Sequence, residues 1–292
     1  MDRKRLLTMM LTLMCAMLAW CENGDTFTTQ TVEGITMKFQ VISETEKTCK
    51  VGGNSESAIE NSVEGAITIP SEANGYTVTT IGSWAFYSKK VTSIEFPNSL
   101  TTIEHSAFRG CSNITSVTIP SSVISIGDNA FYECDNLETV TFHCLEIKNW
   151  FHFTGIKNVV IGDEVTMIGD DAFSSCWALT SIIIPQNVTS IGCRAFYECE
   201  QLKTVKIQEN LKKIESTAFG KCINLTEINI PSSVESIGGS AFWACTNLPS
   251  IELPEGLQTI GTCAFKNCTS LKTITIPSTI NEIGSNAFQY CI

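Results

Sequence analysis

Cys176-Trp-Ala-Leu179-Thr-Ser-Ile182-Ile-Ile184-Pro185-Gln-Asn-Val188-Thr-Ser-Ile191-Gly192-Cys-Arg-Ala195-Phe196 contains one complete structural unit, and most of the chain is built from copies of it. Ala-Phe recurs at Ala107, Ala130, Ala172, Ala195, Ala218, Ala241, Ala264 and Ala287, always 23 residues apart except for the 42 between Ala130 and Ala172. A cysteine follows each Ala by four residues: Cys111, Cys134, Cys176, Cys199, Cys222, Cys245, Cys268 and Cys291. A fixed period of this length means stacked units that bury a core only against their neighbours. Such an array offers a long surface and, by default, no catalytic pocket.

Each position in the unit has a physical reading. Leu179-x-x-Ile182-x-Ile184 ends in strand-like alternation, and the same frame returns at Leu202-Val205-Ile207, Leu225-Ile228-Ile230, Leu248-Ile251-Leu253 and Leu271-Ile274-Ile276. Stacked, these segments predict a parallel sheet with strands ~4.8 Å apart. Pro120, Pro185, Pro231, Pro254 and Pro277 end the ladder, because proline has no N–H to donate. A second apolar segment follows, as in Val234-x-x-Ile237-Gly238 and Leu257-x-x-Ile260-Gly261, with the glycine expected to turn at positive φ. Ala-Phe then reads as a short helical turn, with Ala allowing close approach and Phe filling the core. The predicted fold is a β-rich solenoid, a right-handed stack with a parallel β-sheet on one wall and short strands or 3-10 turns on the other.

The repeat seen as Ile119-Pro120-Ser-Ser-Val123-Ile-Ser-Ile126-Gly127-Asp-Asn-Ala130-Phe131-Tyr-Glu-Cys134-Asp-Asn-Leu137 resembles the BspA-like leucine-rich repeat family, also called the Treponema pallidum leucine-rich repeat class, across about residues 66–292. It differs from the standard leucine-rich repeat, which places Asn or Cys directly after the strand and often carries a full helix. The resemblance implies adhesion to host extracellular-matrix and plasma proteins such as fibronectin and fibrinogen, and coaggregation between bacteria.

Outside the repeats, Arg3, Lys4 and Arg5 precede an apolar run of 15 residues, Leu6 to Trp20. That is short for a membrane span, which needs ~20 residues, and suits a signal peptide over residues 1–21. Cleavage after Cys21 is favoured; Leu18-Ala19-Trp20-Cys21 also resembles a lipobox, which leaves a lipid anchor at Cys21 open. Removal takes away Asp2, Arg3, Lys4 and Arg5, a net +2, and moves the charge from −11 to −13. The chain is therefore expected to be secreted or on the cell surface, with no membrane span. Its negative charge argues against nucleic acid, which needs clustered Lys and Arg. Residues 22–65 show strand-like runs without the repeat and are expected to form an N-terminal β cap, followed by the solenoid over 66–292. Pro70 and Val78 lie eight residues apart where three is usual, which predicts an insertion with a turn at Glu72-Ala-Asn-Gly75-Tyr76.

The period falters at residues 143–164, read as a degenerate repeat. Cys144 with His143 or His152 could act as nucleophile and base or as part of a metal site, but neighbours on a strand point to opposite faces and no C-x-x-C pair adds ligands. The reading is no catalytic residue, no metal and no cofactor. Trp150, Phe151 and His152 are a candidate local hot spot, or else aromatics that refill the core. Export permits disulfides, yet equivalent ladder cysteines suit a buried column of thiols. The sequons at Asn113, Asn187, Asn224 and Asn267 are read as products of the repeat's own preference for Asn and Thr.

The candidate ligand-binding face consists of the outward strand residues: Ser116 and Thr118, Thr139 and Thr141, Ser181 and Ile183, Thr204 and Lys206, Glu227 and Asn229, Ser250 and Glu252, Thr273 and Thr275. This ribbon is rich in hydroxyls, weakly charged and without aromatic anchors. It suits a broad contact with a protein partner. A second expectation is a structural spacer or scaffold that presents another element and has no ligand of its own.

Overall fold

A computed structural model describes residues 22–53, 56–151 and 155–291. The expected signal peptide with its lipobox, and His152, lie outside the described residues.

The chain winds as a β-solenoid with three walls. The first wall stacks Glu64–Thr68, Lys90–Glu95, Ser116–Ile119, Thr139–Phe142, Asn158–Ile161, Ser181–Ile184, Thr204–Ile207 and Glu227–Ile228. Pairing within it is parallel, and in the regular coils residues 23 apart face each other, as Ser181 faces Thr204; Thr139 faces Asn158, only 19 residues on. The second wall stacks the two-residue strands Thr102–Ile103, Ser125–Ile126, Glu146–Ile147, Met167–Ile168, Ser190–Ile191, Lys213–Ile214, Ser236–Ile237, Thr259–Ile260 and Glu282–Ile283. In the first coil this wall is the strand Tyr76–Ile81, which turns back on Glu72–Ala73 through Asn74 and Gly75, both at positive φ. Thr26–Gln30, Thr36–Ser43 and Thr48–Val51 form an antiparallel meander, and its last strand pairs in parallel with Tyr76–Ile81. Met37, Phe39, Val41, Cys49 and Val51 of the meander are buried in the same core as the coils.

The third wall carries Ala-Phe, and here the structure corrects the expected helical turn: no helix occurs among the described residues. Each coil instead places two residues in the left-handed region, one before Ala and one before Cys, such as Thr217 (φ 59) and Lys221 (φ 59). The alternation turns every second peptide along the solenoid axis, so Phe196 N–H donates to Ala218 O at 2.7 Å and Phe219 N–H to Ala241 O at 2.8 Å. A helix would have spent those groups within its own coil.

The glycine after the second strand is also explained differently. Gly127, Gly192, Gly238 and Gly261 are not among the positive-φ residues. A Cβ on Gly238 would lie 2.6 Å from Ser216 N, and one on Gly192 2.6 Å from Asp170 N. The residue is small because the preceding coil's backbone occupies the space.

Inside, Phe173, Phe196, Phe219, Phe242, Phe265 and Phe288 stack with centroids 5.1–5.5 Å apart. The ladder cysteines are free thiols. Cys222 Sγ donates to Phe196 O at 3.1 Å, and Cys245 Sγ to Phe219 O at 3.1 Å. Each such carbonyl also accepts the N–H of its own coil's cysteine, as Phe196 O does from Cys199. The thiol thus fills the second lone pair of a buried carbonyl while adding little polarity.

The expected strands at Leu248-Ile251-Leu253 and Leu271-Ile274-Ile276 are not formed. Pro249 removes a donor at that place in the first of these coils. In the coil before it, the Asn229 carboxamide takes up both ladder groups of Ile207, accepting from its N–H at 2.8 Å and donating to its O at 2.6 Å.

Candidate functional site

The strand wall presents its outward residues as two columns, because inward Val117, Val140, Ile182 and Val205 are fixed in the core. One column runs Ser116, Thr139, Asn158, and the other Thr118, Thr141, Val160; both resume at Ser181, Thr204, Glu227 and at Ile183, Lys206. Ser116, Thr118, Ser181, Ile183, Lys206, Glu227, Asn229, Ser250, Glu252, Thr273 and Thr275 are exposed, and Thr139, Thr141 and Thr204 half-buried. Two of these assignments change in character. Asn229 is exposed, yet its amide is engaged with Ile207 as described. Ser250, Glu252, Thr273 and Thr275 lie on coils without a hydrogen-bonded strand there. Asn158 and Val160 complete the columns and were missed because the degenerate repeat hides their register.

Around residues 143–164 the aromatic hot spot is corrected. Trp150 and Phe151 are buried, at 8% and 1% exposure. Phe151 stacks on Phe131 with centroids 5.0 Å apart and so fills the ladder place of the missing Ala-Phe. A residue filling the core cannot also anchor a partner. Cys144 is buried as well, and burial pushes its thiol up to about 12, the reverse of an activated nucleophile. His143 stands where other coils carry proline, and its Nδ1 lies 3.0 Å from Glu164 Oε2. That contact holds the Glu164 carboxyl below its ordinary value. The pair borders a shallow cavity of about 500 Å3 with Glu95, Asn98, Thr118 and Ser121. Among the described residues, no group of three or more His, Cys, Asp or Glu side chains could hold a metal ion, and no helix is long and apolar enough to cross a membrane.

The turn wall carries what sequence reasoning passed over. Lys221 Nζ sits between the rings of Tyr197 and Trp243, at 5.3 and 5.6 Å from their centroids. It also donates to Glu198 Oε1 at 2.6 Å, which with Tyr197 raises the ammonium above its usual range. Arg109 lies similarly between Trp84 and Tyr132 and pairs with Glu133. These rings have cations lodged between them from coil to coil, so they act as rungs of a stabilising ladder. Each cation lies 22 to 25 residues from its rings, a spacing that could have been read from the sequence.

Ala85-Phe86 begins this wall one coil earlier than the 23-residue count found it, because the step to Ala107 is 22. Phe86 stacks on Phe108 at 5.0 Å. Lys89 takes the ladder-cysteine place, is buried, and donates to Asn61 Oδ1. Two of the sequon asparagines are also engaged between coils: Asn187 Nδ2 donates to Asp163 O at 2.6 Å and Asn224 Nδ2 to Glu200 O at 2.8 Å.

Comparison with known families gives a match to the BspA type leucine-rich repeat region, in six copies over residues 65–178 and 166–292. Comparison with curated proteins gives no match. Among solved structures, the chain is similar to a leucine-rich cell surface protein from Faecalibacterium prausnitzii, with 26% identity, 91% of this chain and 86% of that one covered, and a TM-score of 0.44. A leucine-rich repeat protein from Bacteroides ovatus is 24% identical, with 88% and 91% covered and a TM-score of 0.46. The leucine-rich repeat protein of T. pallidum is 23% identical, with 76% and 87% covered and a TM-score of 0.46.

Proposed function

The chain belongs to the BspA-type leucine-rich repeat family, and from that membership we propose that it is an exported protein-binding module, secreted or held at the cell surface. It contacts host matrix or other cell-surface proteins through the outward face of the strand wall. The observation that carries this reading is the pair of outward columns, held in register by parallel pairing from Ser116 to Asn158 and from Ser181 to Glu227. A face of hydroxyls with scattered charges and no exposed Trp or Tyr lacks the usual single anchors. Its binding strength then comes from breadth and from several copies acting together.

The test is binding to immobilised fibronectin and fibrinogen, comparing the wild-type chain with a Thr204→Asp, Lys206→Glu double variant. At least a tenfold loss of binding with an unchanged circular dichroism spectrum is expected. Binding that survives the substitutions removes the strand wall from the proposal. A wild-type chain that retains no matrix or surface protein favours a spacer that presents another element.

A further inference from the structure

We propose that the cavity between the N-terminal meander and the first coil binds a carboxylate-bearing sugar, with the Lys89 ammonium holding the carboxylate. The site stands apart from the columns of the strand wall and does not depend on which face binds a protein.

Lys89 is the one charged side chain among the buried described residues, at 5% exposure. The later coils with Ala-Phe fill the same place with a cysteine, so packing the column does not call for a lysine. A buried ammonium is costly unless an anion or a full set of acceptors meets it. Lys89 Nζ carries three N–H groups and donates to one neutral acceptor, Asn61 Oδ1. Among the described residues no carboxylate forms an ion pair with it. Burial lowers the ammonium below its ordinary value, and the Glu60 carboxylate acts against that from further away.

Backbone bonding builds the cavity. Lys38 N–H donates to Ala58 O at 2.8 Å and Ala58 N–H to Ala85 O at 2.7 Å, which stitches residues 57–61 between the meander and the turn wall. Thr28 faces Lys38 across the meander. Lys38, Lys89, Thr28, Thr36 and Asn61 line a space of about 450 Å3, and Ile59 gives it an apolar side. Lys38 pairs with Glu56 and has two further N–H groups to offer. Small-molecule sites span roughly 300–1,000 Å3, so a bare inorganic ion would leave most of this one unfilled. Hydroxyls and a carboxamide set around two ammonium groups match a ring of hydroxyls that carries one carboxylate. Glu60 also borders the cavity, but it is exposed, so water screens its charge, and as an acceptor it suits a sugar hydroxyl.

The experiment titrates the full chain with D-glucuronate by calorimetry at pH 7 and low salt, with D-glucose as the neutral control and acetate as the bare carboxylate. Glucuronate is expected to bind at least tenfold more tightly than either. Lys89→Cys installs the residue of the later coils and is expected to keep the circular dichroism spectrum while weakening glucuronate at least tenfold. If that variant does not fold, Lys89→Met carries the same test. Lys38→Met is expected to weaken glucuronate several-fold. Glucuronate that does not bind, glucose or acetate that binds as tightly, or binding that survives the loss of the Lys89 ammonium overturns the proposal.

Discussion

Between Gly169 and Cys268 each coil bonds to the next on its second and turn walls, stacks its Phe on the next Phe, and gives its thiol to the preceding Phe carbonyl. Between His143 and Ile184 the same walls exist, but two junctions lack part of their ladder, and Phe151 stands in for an Ala-Phe that is absent. The difference shows that the two layers of this fold have different tolerances. The aromatic core accepts a substitute from an irregular segment, because any ring that reaches the axis can stack. The hydrogen-bonded walls do so less readily: Glu146–Ile147, in the short coil, pairs with Met167–Ile168 ahead of it and not with Ser125–Ile126 behind it.

The largest separation between the two regions is expected at alkaline pH. A thiol in the unfolded chain ionises near 9, whereas burial pushes Cys268 to about 12 and Cys199, Cys222 and Cys245 well above their ordinary value. Stability is therefore complete below about pH 9. It falls as pH rises towards 12, because the unfolded chain releases protons that the folded one retains. Each such thiol removes about 1.4 kcal/mol per pH unit in that window. The regular stack carries four of them and the coil at Thr139–Asn158 only Cys144, so the regular stack is expected to lose more stability than that coil in urea at pH 10.5. Cys222→Ala with Cys245→Ala should flatten the pH slope while lowering stability at pH 7. A slope that the double substitution leaves unaltered contradicts the thiol account.

Core truncation gives the next largest contrast. Phe219→Ala removes a ring stacked on both sides at 5.1 and 5.5 Å, and is expected to cost about 3–5 kcal/mol in urea unfolding. Phe151→Ala should cost less, because the second wall of its coil is bonded on one side only and the coil can collapse into the space. Equal costs would mean the irregular coil is packed as rigidly as the regular ones. Asn229→Ala follows, at about 1–3 kcal/mol, since it leaves the Ile207 N–H and C=O without partners. Asn229→Ala without effect would show that water replaces the carboxamide freely.

The fold was legible because the repeat states each inward position many times over. Leu, Ile, Val, Phe and Cys could be placed in the core from spacing alone, and the strand-wall columns followed from alternation. What was not legible depended on contact between coils. The glycine at Gly238 answers to a neighbour's backbone 2.6 Å away and not to its own φ. Nothing local in Ala-Phe distinguishes a helical turn from peptides that alternate to bond along the axis. Asn229 looked like one more polar strand residue, and only the geometry shows its amide closing the ladder at Ile207. The burial of Trp150 and Phe151 was one of two readings open in the sequence, since the segment had lost the landmarks that assign a face.

The smallest expected effect concerns the exposed apolar pair on two successive strands, Val160 and Ile183, at 51% and 57% exposure. Exposed side chains contribute little to folding, so Val160→Ser with Ile183→Ser should change stability by no more than about 0.5 kcal/mol. The same change at inward Val140, on the strand that pairs with that of Val160, should cost several times more, because it buries a hydroxyl in the core. A larger fall in the urea midpoint would show that the two side chains pack against each other across the cavity of about 390 Å3 between their strands.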